Sequence, residues 1–239
     1  MTDRTLTDLL LTPILESDPA GPRVTYYDDA TGERIELSAL TLANWAAKTA
    51  NFLRDELGVA PGDAVRVDLP AHWQTAAVLL GAWWAGAHTV IGAADGAVAA
   101  DVALVTSAGL DDADESEVAA LSLDPFGRPL PHLPIGVTDY ATAVRVHGDA
   151  FTPSGTGPAL GGRSAADVLG DARRRAADRS WDTSSRVLST APWPDADAVV
   201  DGLVAILAAG ASLVQVANAD DAAQDRRRTT EKVTHSFPA

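Results

Sequence analysis

The chain contains no cysteine, which excludes disulfides, thiolate nucleophiles, zinc ribbons and iron–sulfur ligation. Positive charge is scarce as well. Lys and Arg number 18 against 33 Asp and Glu, a formal net charge of −15, so a phosphate backbone or an anionic membrane surface is repelled at long range. Neither nucleic acid nor a membrane is an expected partner. The basic triplets Arg173-Arg174-Arg175 and Arg226-Arg227-Arg228 fall late in helical segments, where cations complement the helix dipole, and read as solvated helix ends. The opening "MTDRTLTDLLLTPILESDPAG" lacks the long apolar stretch of a secretory signal, being broken by Pro13 and preceded by Asp3 and Asp8, so a cytoplasmic location is expected.

Other absences narrow the chemistry. Residues 75–94 hold no Asp, Glu, Lys or Arg and approach the length of a spanning helix. Gly81, Gly86 and Gly92 punctuate that run, and "AGAHTVIG" turns β-branched, so it reads as a buried helix, a glycine stop and a short buried strand. Adjacent Trp83 and Trp84 diverge by roughly 100° on such a helix and cannot share one core. The histidines, His72, His88, His132, His147 and His235, include no i, i+4 pair, and no metal centre is expected. A G-x-S-x-G elbow is missing, which leaves an esterase triad without support. The acidic "DDADESE" lacks the glycine and terminal glutamate of a calcium loop and reads as solvated.

What is present is an alternation of strands and helices. "RVTYY" and "RIELS" form a hairpin turned at Gly32. Ser38 or Thr41 caps a helix running to about Leu57, with Leu42, Trp45, Ala46, Thr49, Phe52 and Leu53 at helical spacing. Further strands fall at 64–69, at "HTVIG", at 101–107, in "VAALSL", "RVLSTAP" and "ASLVQVA". Helices fall around 140–146, after Ser164, after Asp195 and in "DAAQDRRRTTEK". The expected fold class is α/β, a mainly parallel sheet flanked by helices. The expected organisation is a single domain over 1–239 with a proline-rich internal loop near 124–136, a length sufficient for a substantial core.

The stretch "FTPSGTGPALGG", residues 151–162, stands out for its glycines and hydroxyls. Placed between a strand and a capped helix, such a loop could present backbone N–H groups to an anion, or simply be a tight turn.

The order of segments sharpens the picture. The run from "VTYYDDATGERIELSAL" through "LGVAPGDAV" to "HTVIG" resembles the opening of the adenylate-forming, or AMP-binding, superfamily of acyl-CoA synthetases, luciferases and peptide-synthetase adenylation domains. "FTPSGTGPALGG" resembles that family's phosphate loop, T-S-G-T-T-G-x-P-K-G. "RVLSTAPWPDADAVVDGLVAILAAGASLVQV" is similar to the family's next segment after that loop, and "EKVTHSFPA" to its V-T motif leading to a proline. A short actinobacterial family distantly related to AMP-binding enzymes is the nearest likeness.

The resemblance implies the N-terminal subdomain of that fold, with Ser154, Gly155, Thr156 and Gly157 as candidate phosphate-binding residues and Arg163 as the nearby cation. It also exposes departures. Leu160 stands where the family has lysine, Pro192-Trp193-Pro194-Asp195 lacks the histidine of the family's Pro-x-x-His, and the sequence ends before the second subdomain with its adenine and Mg²⁺ motifs. The expectation is a truncated, catalytically degenerate domain with a binding or scaffold role, no catalytic residue and no cofactor. Self-association as a homodimer, or another protein, is expected to cover the face that the second subdomain would occupy. Two alternatives stand beside it: an active ATP-dependent acyl-activating ligase completed by a second chain or by unusual residues, and a sensor of AMP or ATP, with Mg²⁺ accompanying the nucleotide.

Overall fold

A computed structural model describes residues 4–92 and 98–238; Ala93 and Ala94, which end the uncharged run, and Ala239, which ends "EKVTHSFPA", lie outside them. The chain opens with helix α1 (Leu6–Ser17), capped by Thr5 and Asp8 in reciprocal hydrogen bonds. Strands β1 (Pro22–Asp28) and β2 (Glu33–Ser38) form the expected antiparallel hairpin, with Gly32 at φ +77°. The Ser38 hydroxyl accepts from the Thr41 N–H at 3.1 Å and starts α2 (Ala39–Asp55). After β3 (Ala64–Asp68), His72 caps α3 (Trp73–Trp84), which stops at Gly86 and gives way to β4 (His88–Ile91). The described part of the uncharged run therefore holds most of the twelve-residue α3 and the strand β4, and among the described residues no helix is long and apolar enough to cross a membrane.

Three strands come next, β5 (Val102–Thr106), β6 (Glu117–Leu121) and β7 (Val137–Asp139), then the short α4 (Tyr140–Ala143). Ser164 caps α5 (Ala165–Asp178), and β8 (Arg186–Ser189) leads to a continuous helical run. That run comprises α6 (Ala196–Val199), a π-helical turn over Val200–Val204, and α7 (Ala205–Ala208). The chain closes through β9 (Ser212–Ala217), α8 (Asp221–Thr230) and β10 (His235–Phe237).

Among the described residues the strands make two five-stranded sheets rather than one. The first has the order β10-β8-β9-β1-β2 and is parallel except for the β1–β2 hairpin; the second, β4-β3-β5-β6-β7, is parallel throughout. Helices α2 and α3 pack on each other between them, α2 against β1 and β2 and α3 against β4 and β1. Residues of both sheets and of these helices join one continuous apolar core, in which Leu42, Phe52, Leu79, Leu80, Val65 and Leu213 are wholly buried. The two tryptophans point apart, but contrary to the sequence reading they share one core: Trp83 lies within it and Trp84, partly buried, packs against it. Trp83 is buried and donates to the Thr89 hydroxyl at 2.8 Å, while Trp84 donates to Asp8 of α1 at 2.9 Å and lies against Phe151.

In each of three charged stretches one residue departs from the solvated reading, while Arg173, Arg174, Arg226 and Arg228 are exposed as expected. Arg227 is buried, paired with Asp29 and set 4.3 Å over the Tyr27 ring. Arg175 joins Asp171, Asp197 and Asp201 at 2.9, 2.8 and 3.1 Å, tying α5 to the α6 run. Glu115 of the acidic loop is buried against Arg66 of β3. In a chain so rich in acids, an arginine that reaches a sheet or helix face readily finds a carboxylate, and pairing lets it be buried.

Candidate functional site

Two places carry functional groups, and they lie at opposite ends of the second sheet. The first is the glycine segment. Its later half runs beside β4 as an edge cover: the Thr89 N–H donates to the Ala159 carbonyl at 2.9 Å, and the Gly161 N–H donates to the Thr89 carbonyl at 3.2 Å. Leu160 is thereby turned into the core, with no exposed surface. The only positive φ angles in this segment are those of Gly161 (+55°) and Gly162 (+74°). Their N–H groups are already used, Gly161 on Thr89 and Gly162 on His88 Nε2 at 2.7 Å. A backbone nest that converges N–H groups on an anion needs such an angle among its members, and neither Gly155 nor Gly157 has one.

Gly155 and Gly157 instead allow close backbone packing. A Cβ on Gly157 would stand 2.5 Å from Gly62 Cα, 2.7 Å from Gly62 N and 3.0 Å from the Gly86 carbonyl. These are the turns that feed β3 and β4, so the Ser154–Gly157 stretch sits at the amino ends of the strands. Thr156 and Gly157 do border a hollow of about 400 Å³ at the start of α5, together with Ser164 and Arg4. The cap there is complete, since Ser164 accepts from the Asp167 N–H at 3.2 Å and donates to the Asp167 carboxylate at 2.7 Å. That carboxylate already complements the helix dipole. Arg163 is held away, 3.1 Å from Asp171 and 3.6 Å from Asp197. The structure thus brings Thr156 and Gly157 together with the α5 cap, and leaves Ser154, Gly155 and Arg163 out of that hollow.

The second place is a cleft of about 880 Å³ at the carboxyl ends of strands from both sheets, where open α/β folds bind ligands. Asp28 and Asn218 lie at the ends of β1 and β9; Pro70, Ala71 and His72 come after β3; Ser122 and Leu123 come after β6. His72 is 3 % exposed and accepts the Gln74 N–H at Nδ1 over 3.1 Å, which puts the proton of its neutral form on Nε2. That Nε2 lies 3.8 Å from Glu33 Oε1. Desolvation pushes the imidazole down to about 3, so it is neutral at pH 7. Burial also raises the Glu33 carboxyl above the ordinary carboxylate range, although Trp73 Nε1 donates to it at 3.3 Å. Asp28 goes the other way. Desolvation works to raise it, but hydrogen bonds from Asn218, Ala30 and Thr31 outweigh that and hold it low.

A neighbouring hollow shares Pro70, Ala71, Ala217 and Asn218 with the cleft and is bordered by Gln215 and Pro192. Gln215 is 2 % exposed, and its Nε2 donates to the Ala191 carbonyl at 3.1 Å while its Oε1 accepts nothing among the described residues. Sequence reasoning missed Asp28, Glu33, His72 and Gln215 as site residues. The available signal was position alone: each lies in or beside a strand, on the side where parallel sheets open.

Two sheets with buried helices between them, their parallel strands opening on a shared cleft, define the class: this is the architecture of the N-terminal half of adenylate-forming enzymes. An acyl-CoA synthetase from Brucella canis superposes with a TM-score of 0.80 at 18 % identity, over 98 % of this chain and 47 % of that one. The anthranilate CoA ligase AuaEII, solved with anthranoyl-AMP, does so at 0.69 and 14 %, over 96 % and 48 %. The chain therefore spans about half the length of these enzymes. No family model matches it. It is 59 % identical over 242 residues to the TIGR03089 family protein of Mycobacterium tuberculosis (strain ATCC 25618 / H37Rv), with 98 % of each chain covered, and it belongs to that family.

Proposed function

We propose that this protein is a catalytically degenerate relative of the acyl-CoA synthetases that binds a small ligand without adenylating it, and that its binding place is the carboxyl-end cleft. The observation that carries this reading is Leu160. At the position where the resemblance puts the phosphate-binding lysine, an apolar side chain is wholly buried beneath an edge cover of β4. The neighbouring N–H groups that could curl around an anion are spent on Thr89 and His88. Polyphosphate chemistry needs preorganised positive charge at the transferring group, and Arg163 nearby is committed to Asp171 and Asp197.

Pyrophosphate exchange with pooled fatty, aromatic and amino acids tests it. No exchange above a protein-free blank is expected; sustained exchange overturns the reading in favour of a ligase. Calorimetry with ATP and AMP addresses the sensor alternative, for which micromolar binding is required. Self-association belongs to the same proposal, since Phe126, Ile135 and Val146 stand exposed between β6 and α5. A monomer in light scattering at micromolar concentration removes that part.

A further inference from the structure

The cleft presents acceptors and negative charge and almost no free positive charge. Asp28 is engaged by the neutral Asn218 and Thr31 side chains and by backbone N–H groups, at 2.8 Å for Asn218 Nδ2 and 2.9 Å for the Ala30 N–H. Glu33, whose side chain is 8 % exposed, has the Trp73 indole and the His72 imidazole beside it. The two arginines on the wall are used elsewhere. Arg34 is bound to the Tyr27 hydroxyl, Glu36 and Glu231, and Arg128 to Asp124 at 3.0 Å. A third acceptor waits one hollow further on, in the buried and unpartnered Oε1 of Gln215. Leaving a buried acceptor unmade costs roughly 1–3 kcal/mol, a cost that a ligand donor would remove.

Around these groups the surface is apolar, with Ile35, Pro70, Leu123, Pro125 and the exposed Phe126 ring at the mouth. From this arrangement we infer that the cleft takes a small organic cation, a primary or secondary ammonium on an apolar body, with the ammonium between Asp28 and Glu33. The inference rests on the cleft being the binding place proposed above. An anionic acyl group is disfavoured there by two carboxylates that no arginine or lysine among the described residues pairs with. The ammonium gives each carboxylate the cationic donor it lacks, and the apolar body covers the Phe126 wall.

Three probes with one carbon skeleton separate charge from shape: 4-phenylbutylamine, 4-phenylbutyrate and 4-phenylbutanol, titrated calorimetrically into the full chain. The amine is expected to bind at least tenfold more tightly than the alcohol, with no heat from the carboxylate. The Asp28→Asn/Glu33→Gln double variant, checked for its melting transition, should bring amine and alcohol within threefold. On the unaltered chain the amine should also shift the His72 imidazole nitrogen resonances, which keeps the test intact if the variant fails to fold. Equal or tighter binding of the carboxylate overturns the inference while leaving a ligand-binding cleft. Unmoved His72 resonances at millimolar amine overturn it too. Pyrophosphate exchange judges the non-catalytic reading separately from either result.

Discussion

Replacing Leu160 by lysine restores the charge that the adenylate-forming resemblance would place in the glycine segment, and the structure says what this does. Leu160 has no exposed surface, its segment is pinned on both sides by Thr89, and Gly161 and Gly162 fix the turn beyond it. Losing the leucine forfeits roughly 2–3 kcal/mol of burial. The new ammonium must then be buried unpaired or neutralised, and a depression of about 3 pKa units corresponds to about 4 kcal/mol. The sum, about 6 kcal/mol, is comparable to the whole stability of an ordinary domain. Urea denaturation followed by tryptophan fluorescence should therefore find Leu160→Lys unfolded or marginal without denaturant. Leu160→Met, which conserves volume, should cost less than about 1.5 kcal/mol. Calorimetry with ATP on whatever folded fraction remains should show no gain. A Leu160→Lys protein within about 1 kcal/mol of the parent that also binds ATP would refute the edge-cover account, because the side chain would then reach a phosphate from that position.

Gly157→Ala should destabilise by about 2 kcal/mol or more, since its new methyl meets backbone of Gly62 and Gly86 that cannot rotate away; a melting temperature equal to the parent's would mean the segment is not packed there. Folded His72 resists protonation until about pH 3 whereas the unfolded chain binds the proton near 6.5, so the imidazole's contribution is complete above about pH 6.5 and is lost on acidification toward 3, by up to about 5 kcal/mol. His72→Asn, which can still accept from the Gln74 N–H, should flatten the pH dependence of the urea midpoint across that window; an unchanged slope counts against a buried neutral imidazole. Glu231→Gln should cost about 2–3 kcal/mol, because the buried Glu231 carboxylate joins Tyr27, Arg34 and Arg186. Arg34 is half exposed, which keeps the figure below that of a fully buried pair. Double-mutant cycles with Arg186→Met measure the coupling.

Much of the local structure was legible because its causes are local. Ser38, Ser164 and Asp195 cap helices through the N–H groups of Thr41, Asp167 and Ala198, as hydroxyl or carboxylate side chains at those spacings should. Helix α1 is absent from the sequence reading, yet Thr5 with Asp8 three residues later is the same pattern as Ser164 with Asp167. The division into two sheets was not legible. Alternation of strands and helices sets parallel pairing but not partners, and β1 pairs with β9, some 190 residues on, which no local pattern specifies. Composition likewise could not decide what the glycine segment does. Serine, threonine and glycine suit both an anion nest and a tightly packed edge, and the φ angles at Gly155, Gly157, Gly161 and Gly162 make the distinction.

The placement of the two candidate regions limits how function can be divided between them. Gly157 meets the turns that enter β3 and β4, whereas Pro70 and His72 lie past the exit of β3. The five residues of β3 alone span roughly 16 Å at 3.3 Å per residue. A ligand as short as 4-phenylbutylamine cannot touch Ser154–Gly157 and the Asp28–Glu33 pair together. A nucleotide at the α5 cap and a cation in the cleft would thus be separate ligands, linked through the β3–β4 layer on one side and through α7, β9 and β1 on the other. If both bind, any cooperativity between them must travel through these packed elements. It can be measured as the change in amine affinity at saturating AMP, and the same factor must appear in the AMP affinity at saturating amine.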